Sequence, residues 1–98
     1  MNDQKVLDFV TALCKRHGAT RVVLYGSRAR GDNHELSDYD IMVSGVRKKE
    51  TKLDIREECD NGAPTLREID IVFSQDASPE LLQQIKKDGI VLYERIKN

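Results

Sequence analysis

Apolar residues in the first half of the chain recur at two spacings, one typical of helices and one typical of strands. The helical spacing runs over residues 3–17 and is carried by Val6, Leu7, Val10, Leu13 and Cys14. The β-branched stretch TRVVLYG then predicts a strand over residues 20–25. After a polar stretch with room for one or two helical turns, the alternation in DYDIMVS predicts a second strand. The polar stretch therefore connects two predicted strands.

The pattern is weakest over residues 45–64, where apolar side chains are few. Val46, Leu53, Ile55 and Cys59 are the apolar anchors of this segment. They predict a helix from about Lys49 to Cys59, broken by the sequence NGAP. Because these anchors are few, the packing of this segment is the least determined part of the fold.

The last third of the chain predicts two further strands with a helix between them. TLREIDIVFS predicts a third strand, with Ile69, Ile71 and Phe73 on one face and Asp70 and its alternate neighbours on the other. SPE opens a helix that ends before a glycine, with the serine as N-cap and the proline in the first turn. IVLYERI predicts a short closing strand.

The connection between the first two strands decides the type of sheet. Only about a dozen residues separate them, which is the lower limit for a parallel crossover. The two strands are therefore expected to be antiparallel neighbours. Together the patterns predict an α/β (α+β) fold with a mixed sheet of about four strands, flanked by helices that lie mainly on one face. No repeat or linker divides the sequence, so residues 1–98 are expected to form a single domain.

Composition narrows the classes of partner. The net charge is −1, which gives no strong overall field to attract nucleic acid, so a nucleic-acid partner is not expected. No apolar run approaches the roughly 20 residues that span a bilayer, and the N-terminus lacks the order of a signal peptide. A cytoplasmic protein without membrane contact is predicted. Cys14 and Cys59 stand alone and predict free thiols in or near the core.

The stretch YGSRARGDNHELSDYDIMV holds the candidate chemistry. Asp38 and Asp40 lie two apart on a strand and so project from one face, while antiparallel pairing brings Gly26 and Ser27 beside them. Asp70 lies inside an apolar run of the third strand, where a buried carboxylate without a partner would be costly. Converging carboxylates either have raised pKa values or demand a cation, and their oxygens suit magnesium or manganese.

The remaining polar residues of this stretch fit a phosphate. Gly26 would allow close approach of a backbone, Ser27 would offer a hydroxyl and an amide, and Arg30 could face the same phosphates one helical turn on. Taken alone, each piece has a plainer interpretation: edge charges that discourage aggregation, a surface turn, or solvated arginines. The combination favours a site for a nucleoside triphosphate and its metal ions.

The motifs GSRARG, SDYDI and EIDIVF together resemble the minimal nucleotidyltransferases of the DNA polymerase beta superfamily. In that family Gly-Ser is followed by ten residues and then Asp-x-Asp; here the ten residues run from Arg28 to Ser37. The resemblance implies a polymerase-beta-like fold and transfer of a nucleoside monophosphate from a triphosphate. It implies that Asp38, Asp40 and Asp70 are catalytic and hold two Mg²⁺, or Mn²⁺. It also implies that Gly26, Ser27 and Arg30 bind ATP or another triphosphate, with a less certain part for Arg28.

Similar short members of that family also suggest a partner. They pair with a helical HEPN-type protein as antitoxin and toxin, and they can transfer AMP from ATP to a tyrosine of the toxin. The resemblance therefore implies a protein adenylyltransferase that acts as an antitoxin. Two alternatives stay open: an antitoxin that neutralises its partner by binding alone, although no clear apolar face is evident, and a homodimeric nucleotidyltransferase for a small molecule or RNA.

Overall fold

Helices and strands alternate along the chain in the computed structural model, which describes residues 3–96. The elements are α1 (Asp3–Arg16), β1 (Arg21–Tyr25), α2 (Ser27–Arg30), β2 (Tyr39–Ser44), α3 (Lys49–Gly62), β3 (Ile69–Phe73), a 3₁₀ turn (Ser74–Asp76), α4 (Pro79–Asp88) and β4 (Ile90–Glu94). Ser78 is the N-cap of α4, as predicted, and its hydroxyl accepts a hydrogen bond from the Leu81 amide at 3.1 Å.

The four strands form one mixed sheet in the order β3-β2-β1-β4. β1 pairs antiparallel with β2 and with β4, whereas β2 and β3 are parallel and joined through α3. This confirms the predicted mixed sheet and the antiparallel pairing of the first two strands. Because β3 and β4 are the edge strands, each has a neighbour on one side only.

Helices cover the two faces of the sheet unequally. On the face called here the thick face, α1 and α3 pack on the strands; its buried residues include Val10, Leu13, Val22, Leu24, Ile41, Val43, Ile55, Cys59, Ile71 and Phe73. The opposite, thin face is covered by α4, and its buried residues are Val23, Tyr25, Met42 and Ile85. The prediction that helices lie mainly on one face holds for α1 and α3, while α4 lies on the other.

The segment that the sequence left least determined is an ordered helix with a narrow buried face. Ile55 and Cys59 of α3 are buried, but Leu53 is 57% exposed, so its prediction as an anchor is wrong. Leu53 and Ile55 are two residues apart, which places them on roughly opposite sides of a helix. The helix also continues past its predicted end, because the Ala63 amide still donates to the Cys59 carbonyl at 3.1 Å. The break comes at Pro64, which requires extended backbone in the residue before it.

The third strand begins later than its sequence pattern predicts. The Thr65 hydroxyl accepts a hydrogen bond from the Arg67 amide at 3.0 Å, and this local turn competes with strand pairing. β3 is therefore limited to Ile69–Phe73. Cys14 and Cys59 are both free and buried, as predicted. Within residues 3–96, no helix is both long enough and apolar enough to cross a membrane.

Candidate active site

Strand register places two of the three predicted aspartates side by side. Asp40 of β2 is paired with Asp70 of β3 on one side and with Tyr25 of β1 on the other. Neighbouring strands lie about 4.8 Å apart and paired residues share a face, so the two carboxyl groups project together from the thin face. The next row across the same face is apolar and consists of Val91, Val23, Met42 and Val72. The carboxylates thus lie one step beyond the apolar part of the thin face.

Asp38 reaches the same region from the segment that enters β2. It lies two residues before Asp40, and the backbone between them is anchored by a 2.9 Å hydrogen bond from the Tyr39 amide to the Glu68 carbonyl. An open cavity of about 250 Å³ is lined by Asp38 and Asp70, together with Arg56, Asp60, Glu68, Ile69 and Ile71. The structure therefore joins Asp38 and Asp70 through one cavity, and Asp40 and Asp70 through strand pairing.

The electrostatics of Asp40 reflect this crowding. Burial raises the pKa of its carboxyl group first, the charges of Asp70 and Asp38 raise it further, and Arg30 opposes them. The pKa of the Tyr25 hydroxyl is raised to about 12, by burial and then by Asp40 and Asp70. A cation placed among these groups would favour the charged form of Asp40, reversing the effect of its neighbours.

Asp70 differs from expectation in its exposure. The sequence suggests a carboxylate buried in an apolar run, but in the structure Asp70 is exposed because it lies on an edge strand and on the thin face. The inference that burial forces a ligand on Asp70 is therefore wrong. Its place beside Asp40 is the reason that remains for a role in the site.

The oxygen-rich donor set fits a hard divalent cation. Among residues 3–96, no three Asp, Glu, His or Cys side chains already stand in an arrangement that holds a metal ion. Three carboxyl groups, on β2, on β3 and on the segment that enters β2, nevertheless supply the ligand type that Mg²⁺ and Mn²⁺ take, with no thiolate or imidazole among them. The pairing of Asp40 with Asp70 brings two of these carboxyl groups together on adjacent strands.

Gly26 is required by two features of the turn between β1 and α2. Its φ angle is +76°, a backbone conformation that side chains rarely tolerate. A Cβ atom at this position would also overlap the Asp40 carboxylate. The backbone of the turn thus lies directly against the carboxylate, and Ser27 follows as the half-buried first residue of α2.

The two arginines of α2 have different surroundings. The Arg30 side chain is 38% exposed, donates to Asp32 at 3.1 Å, lies 3.7 Å from Asp88 at the end of α4, and acts on the pKa of Asp40. The Arg28 side chain is only 3% exposed and binds protein groups. Of the two, Arg30 lies on the side of the carboxylates.

A comparison with protein families identifies the family of this chain. The model of the polymerase beta nucleotidyltransferase family matches residues 10–98. The chain belongs to this family. No curated protein sequence matches the chain significantly.

Solved structures share the polymerase-beta-like fold. One protein provisionally assigned as a minimal nucleotidyltransferase is 32% identical, with 86% of each chain covered and a TM-score of 0.69. A toxin-antitoxin complex with AMP-PNP contains a chain that is 22% identical (90% of this chain, 73% of that one, TM-score 0.74). A complex of tri-AMPylated Shewanella oneidensis HEPN toxin with MNT antitoxin contains one that is 18% identical (95% and 73%, TM-score 0.72). At 22% and 18% identity, the last two similarities show a shared fold only.

Sequence reasoning missed several residues that lie in or near the candidate site. Glu68 lies two residues before Asp70, so the period of a strand could have placed it on the same face. Arg56 and Asp60 come from α3 and reach the cavity only because that helix lies over the edge of β3. Asp88 lies near Arg30 only because of where the end of α4 packs. A single sequence carries no signal for either helix position.

Proposed function

We propose that this chain is a metal-dependent protein adenylyltransferase and an antitoxin. It works as a single domain over residues 1–98 and transfers AMP from ATP to a tyrosine hydroxyl of a HEPN-type helical partner. The observation that carries the proposal is the strand register that sets Asp40 beside Asp70, with Gly26 against the Asp40 carboxylate. This arrangement occurs in a chain of the polymerase beta nucleotidyltransferase family.

In the proposed reaction, the tyrosine oxygen of the partner attacks the α-phosphorus of ATP. The bond from that phosphorus to the oxygen bridging the α- and β-phosphates breaks, and pyrophosphate leaves. Asp70, the most exposed of the paired carboxylates, faces the cavity and draws the proton of the attacking hydroxyl. Asp38, Asp40 and Asp70 would hold two Mg²⁺ ions, or Mn²⁺, which would supply charge neutralisation for the phosphates and the leaving group.

The same side chains suggest how the triphosphate is bound. The backbone at Gly26 leaves room beside Asp40, and Ser27 offers an amide and a hydroxyl at this turn. Arg30 is exposed enough to exchange its carboxylate partners for phosphate oxygens, because surface ion pairs are weak. The nucleotide thus lies between α2 and the carboxylate row, and the acceptor approaches through the cavity at the edge of β3.

Support for the partner comes from the solved structures. One structure of this fold contains AMP-PNP, and another contains a HEPN toxin modified with three AMP groups and an MNT antitoxin. These proteins cover most of the present chain at low identity, so they support the kind of donor and acceptor. A cytoplasmic location is part of the same proposal.

The test is transfer of label from α-³²P-ATP in the presence of Mg²⁺. Purified chain and a HEPN-type partner should give a labelled partner, and replacement of its acceptor tyrosine by phenylalanine should remove the label. Asp40→Asn should lower the rate by about 10³-fold, which corresponds to several kcal/mol of lost charge stabilisation. Asp54→Asn, at an exposed position of α3, is the matched control. No label with the wild type, or equal label with Asp40→Asn, would refute the proposal.

One observation favours the alternative of neutralisation by binding alone. The sequence shows no clear apolar face, but in the structure Leu82, Ile90 and Val91 are 38%, 47% and 45% exposed around α4 and β4. A partner could cover them without any chemistry. Rescue from toxin by the Asp38→Ala/Asp40→Ala double variant discriminates: full rescue supports binding alone, and failure with an intact fold supports catalysis.

A further inference from the structure

Arg28 is a buried arginine beside the segment that carries Asp38. Its side chain is 3% exposed. Nε and Nη2 donate to the Ser37 carbonyl at 3.1 and 2.7 Å, and Nη2 also donates to the Glu35 carbonyl at 3.3 Å. The guanidinium group thus holds the last turn before β2 by two carbonyls, one of which belongs to the residue directly before Asp38.

The other side of the same guanidinium group is fixed by α1 and β2. Nη1 donates to the Asp3 carboxylate at 3.1 Å, and that oxygen also accepts the Tyr39 hydroxyl hydrogen at 2.7 Å. The guanidinium carbon lies 4.0 Å from the centre of the Tyr39 ring. Tyr39 is fully buried and stands between the two aspartates of the motif. Asp3, Arg28 and Tyr39 form the network called here the Arg28 clamp.

The geometry leaves Arg28 a single unused N–H donor, on Nη1, and a side chain too buried to reach a phosphate without breaking its present contacts. Guanidinium has five N–H donors, and the four hydrogen bonds of Arg28 use four of them. A buried cation that already faces a carboxylate and two carbonyls would lose these partners by turning outward, which is costly. A lysine could not replace it fully, because an ammonium group lacks the planar fork that binds two carbonyls and stacks on a ring.

We propose that Arg28 is a positioning residue: the Arg28 clamp fixes the backbone at Ser37 and Tyr39 and thereby sets the Asp38 carboxylate beside Asp40 and Asp70. The clamp extends from α1 across α2 to β2, so it ties the motif to the thick-face scaffold. The inference rests on the proposed function in so far as Asp38 takes part in transfer. It assigns the two arginines of α2 different tasks, with Arg30 left for the triphosphate.

The test compares Arg28→Lys with the wild type by steady-state kinetics and by backbone hydrogen exchange. We expect kcat to fall by about 10- to 100-fold, as for other residues that orient a ligating group. KM for ATP should stay within about twofold, because Arg28 does not touch the triphosphate. Exchange should become faster at the amides of residues 34–38, and Asp3→Asn should give a smaller change in the same direction.

The control is Ile55→Val, which lowers stability in the thick-face core without touching the clamp. It should leave kcat and the exchange of residues 34–38 unchanged well below its Tm. A rise in KM for ATP with unchanged kcat in Arg28→Lys would show a phosphate ligand and overturn the proposal. Unchanged kcat, KM and exchange would overturn it as well.

Failure of the proposed function is distinguishable from failure of the clamp. If the wild type transfers no AMP, the Kd of Mn²⁺, measured by electron paramagnetic resonance, replaces kcat as the readout. A higher Kd for Mn²⁺ in Arg28→Lys, with faster exchange at residues 34–38, would then still support the clamp. An unchanged Kd with unchanged exchange would refute it.

Discussion

The two faces of the sheet are built from the same strands, but one face forms the main apolar core and the other carries the paired carboxylates. On the thick face, two long helices bury a continuous core in which every residue is apolar. On the thin face, which has a single helix, four residues are buried, and one of them, Tyr25, lies in the same row across the strands as Asp40 and Asp70. Alternation along β2 shows the contrast directly: Ile41 and Val43 point to the thick face, and Asp40 and Met42 point to the thin one.

The comparison shows where this small domain can place charge. A carboxylate among the thick-face residues would be buried without a partner, at a cost of several kcal/mol. On the thin face, Asp70 is exposed and Asp40 is half-buried, so water or a ligand can reach the carboxylate row. Asp40 nevertheless has a raised pKa, so even the thin face bears an electrostatic cost for holding the site. The thick face stabilises a fold that can tolerate that cost.

The largest expected effect tests the contrast in packing. Ile55 of α3 and Ile85 of α4 are both buried, one under each face. Ile55→Ala should lower the free energy of unfolding by about 4 kcal/mol and Ile85→Ala by about 2 kcal/mol, both within the range of about 2 to 5 kcal/mol for such truncations. The reason is that Ile55 has neighbours from two helices and the sheet, whereas the cavity at Ile85 can open to solvent. Urea denaturation measures both values.

If Ile55→Ala does not fold, Ile55→Val and Ile85→Val give the same comparison at about 0.5 to 1.5 kcal/mol. Equal losses at the two positions would show that α4 packs as tightly as α3. The distinction between a thick and a thin face would then concern only the number of residues.

Much of this contrast could be predicted from the sequence. Alternation in DYDIMVS and in EIDIVF separates the two faces of β2 and β3, and the short connection after Tyr25 favours antiparallel pairing. The positions of Gly26, Asp38, Asp40 and Asp70 in the family motif also place them at one end of neighbouring strands. Their catalytic roles stay a prediction until activity is measured.

The rest depends on tertiary geometry. Arg28 and Arg30 look equivalent in GSRARG, although their separation by two residues places them on roughly opposite sides of a helical turn. Only the docking of α1 shows that Arg28 is buried against Asp3, 25 positions earlier in the chain. Similarly, the exposure of Asp70 follows from strand order, since an edge strand cannot be told from a central one in an apolar run. The exposed side chains of α4 and β4 follow from a helix that covers only part of its face.

The next effect tests the contact between the turn and the carboxylate row. Gly26→Ala adds a side chain against Asp40 at a φ of +76°, whereas Gly18→Ala meets no neighbour within 4 Å at a φ of +88°. Gly18→Ala should lose about 1 to 2 kcal/mol of stability from its positive φ. Gly26→Ala should lose more, because its ψ of −157° lies in a backbone region that is essentially confined to glycine. Only Gly26→Ala should also lose activity, by about 10²-fold, because it displaces Asp40.

The matched glycines separate strain from displacement. Urea denaturation gives the stability of each variant, and AMP transfer is measured well below both Tm values. Equal activity in the two variants would mean that the Asp40 carboxylate adjusts to the methyl group. In that case the thin face would be looser at this row than its strand pairing implies.

The smallest expected effect concerns the cost of Asp40 itself. A pKa raised in the folded state means that the native protein binds the Asp40 proton more tightly than the unfolded chain does. The contribution of Asp40 to stability therefore falls as the pH rises from the ordinary value of about 3.9 through the raised pKa, and stays low above it. The Asp40→Asn variant has no carboxyl group at this position and therefore does not lose this stability as the pH rises. In EDTA, its Tm minus that of the wild type should grow between pH 4 and pH 7.

The difference in Tm between the two proteins is more informative than the pH dependence of either Tm alone, because other groups titrate in the same pH range. Glu58, whose pKa is lowered mainly by its hydrogen bond with His17, pulls the total in the opposite direction in both proteins. A difference that is flat or shrinks with pH would show that the thin face accommodates the Asp40 charge without cost. With Mg²⁺ and ATP at pH 7, the Tm of the wild type should instead exceed that of Asp40→Asn, since a ligand that binds the native carboxylate row stabilises the wild type more than the variant. A reversal would show that the charge which weakens the thin face alone is the charge that holds its ligand.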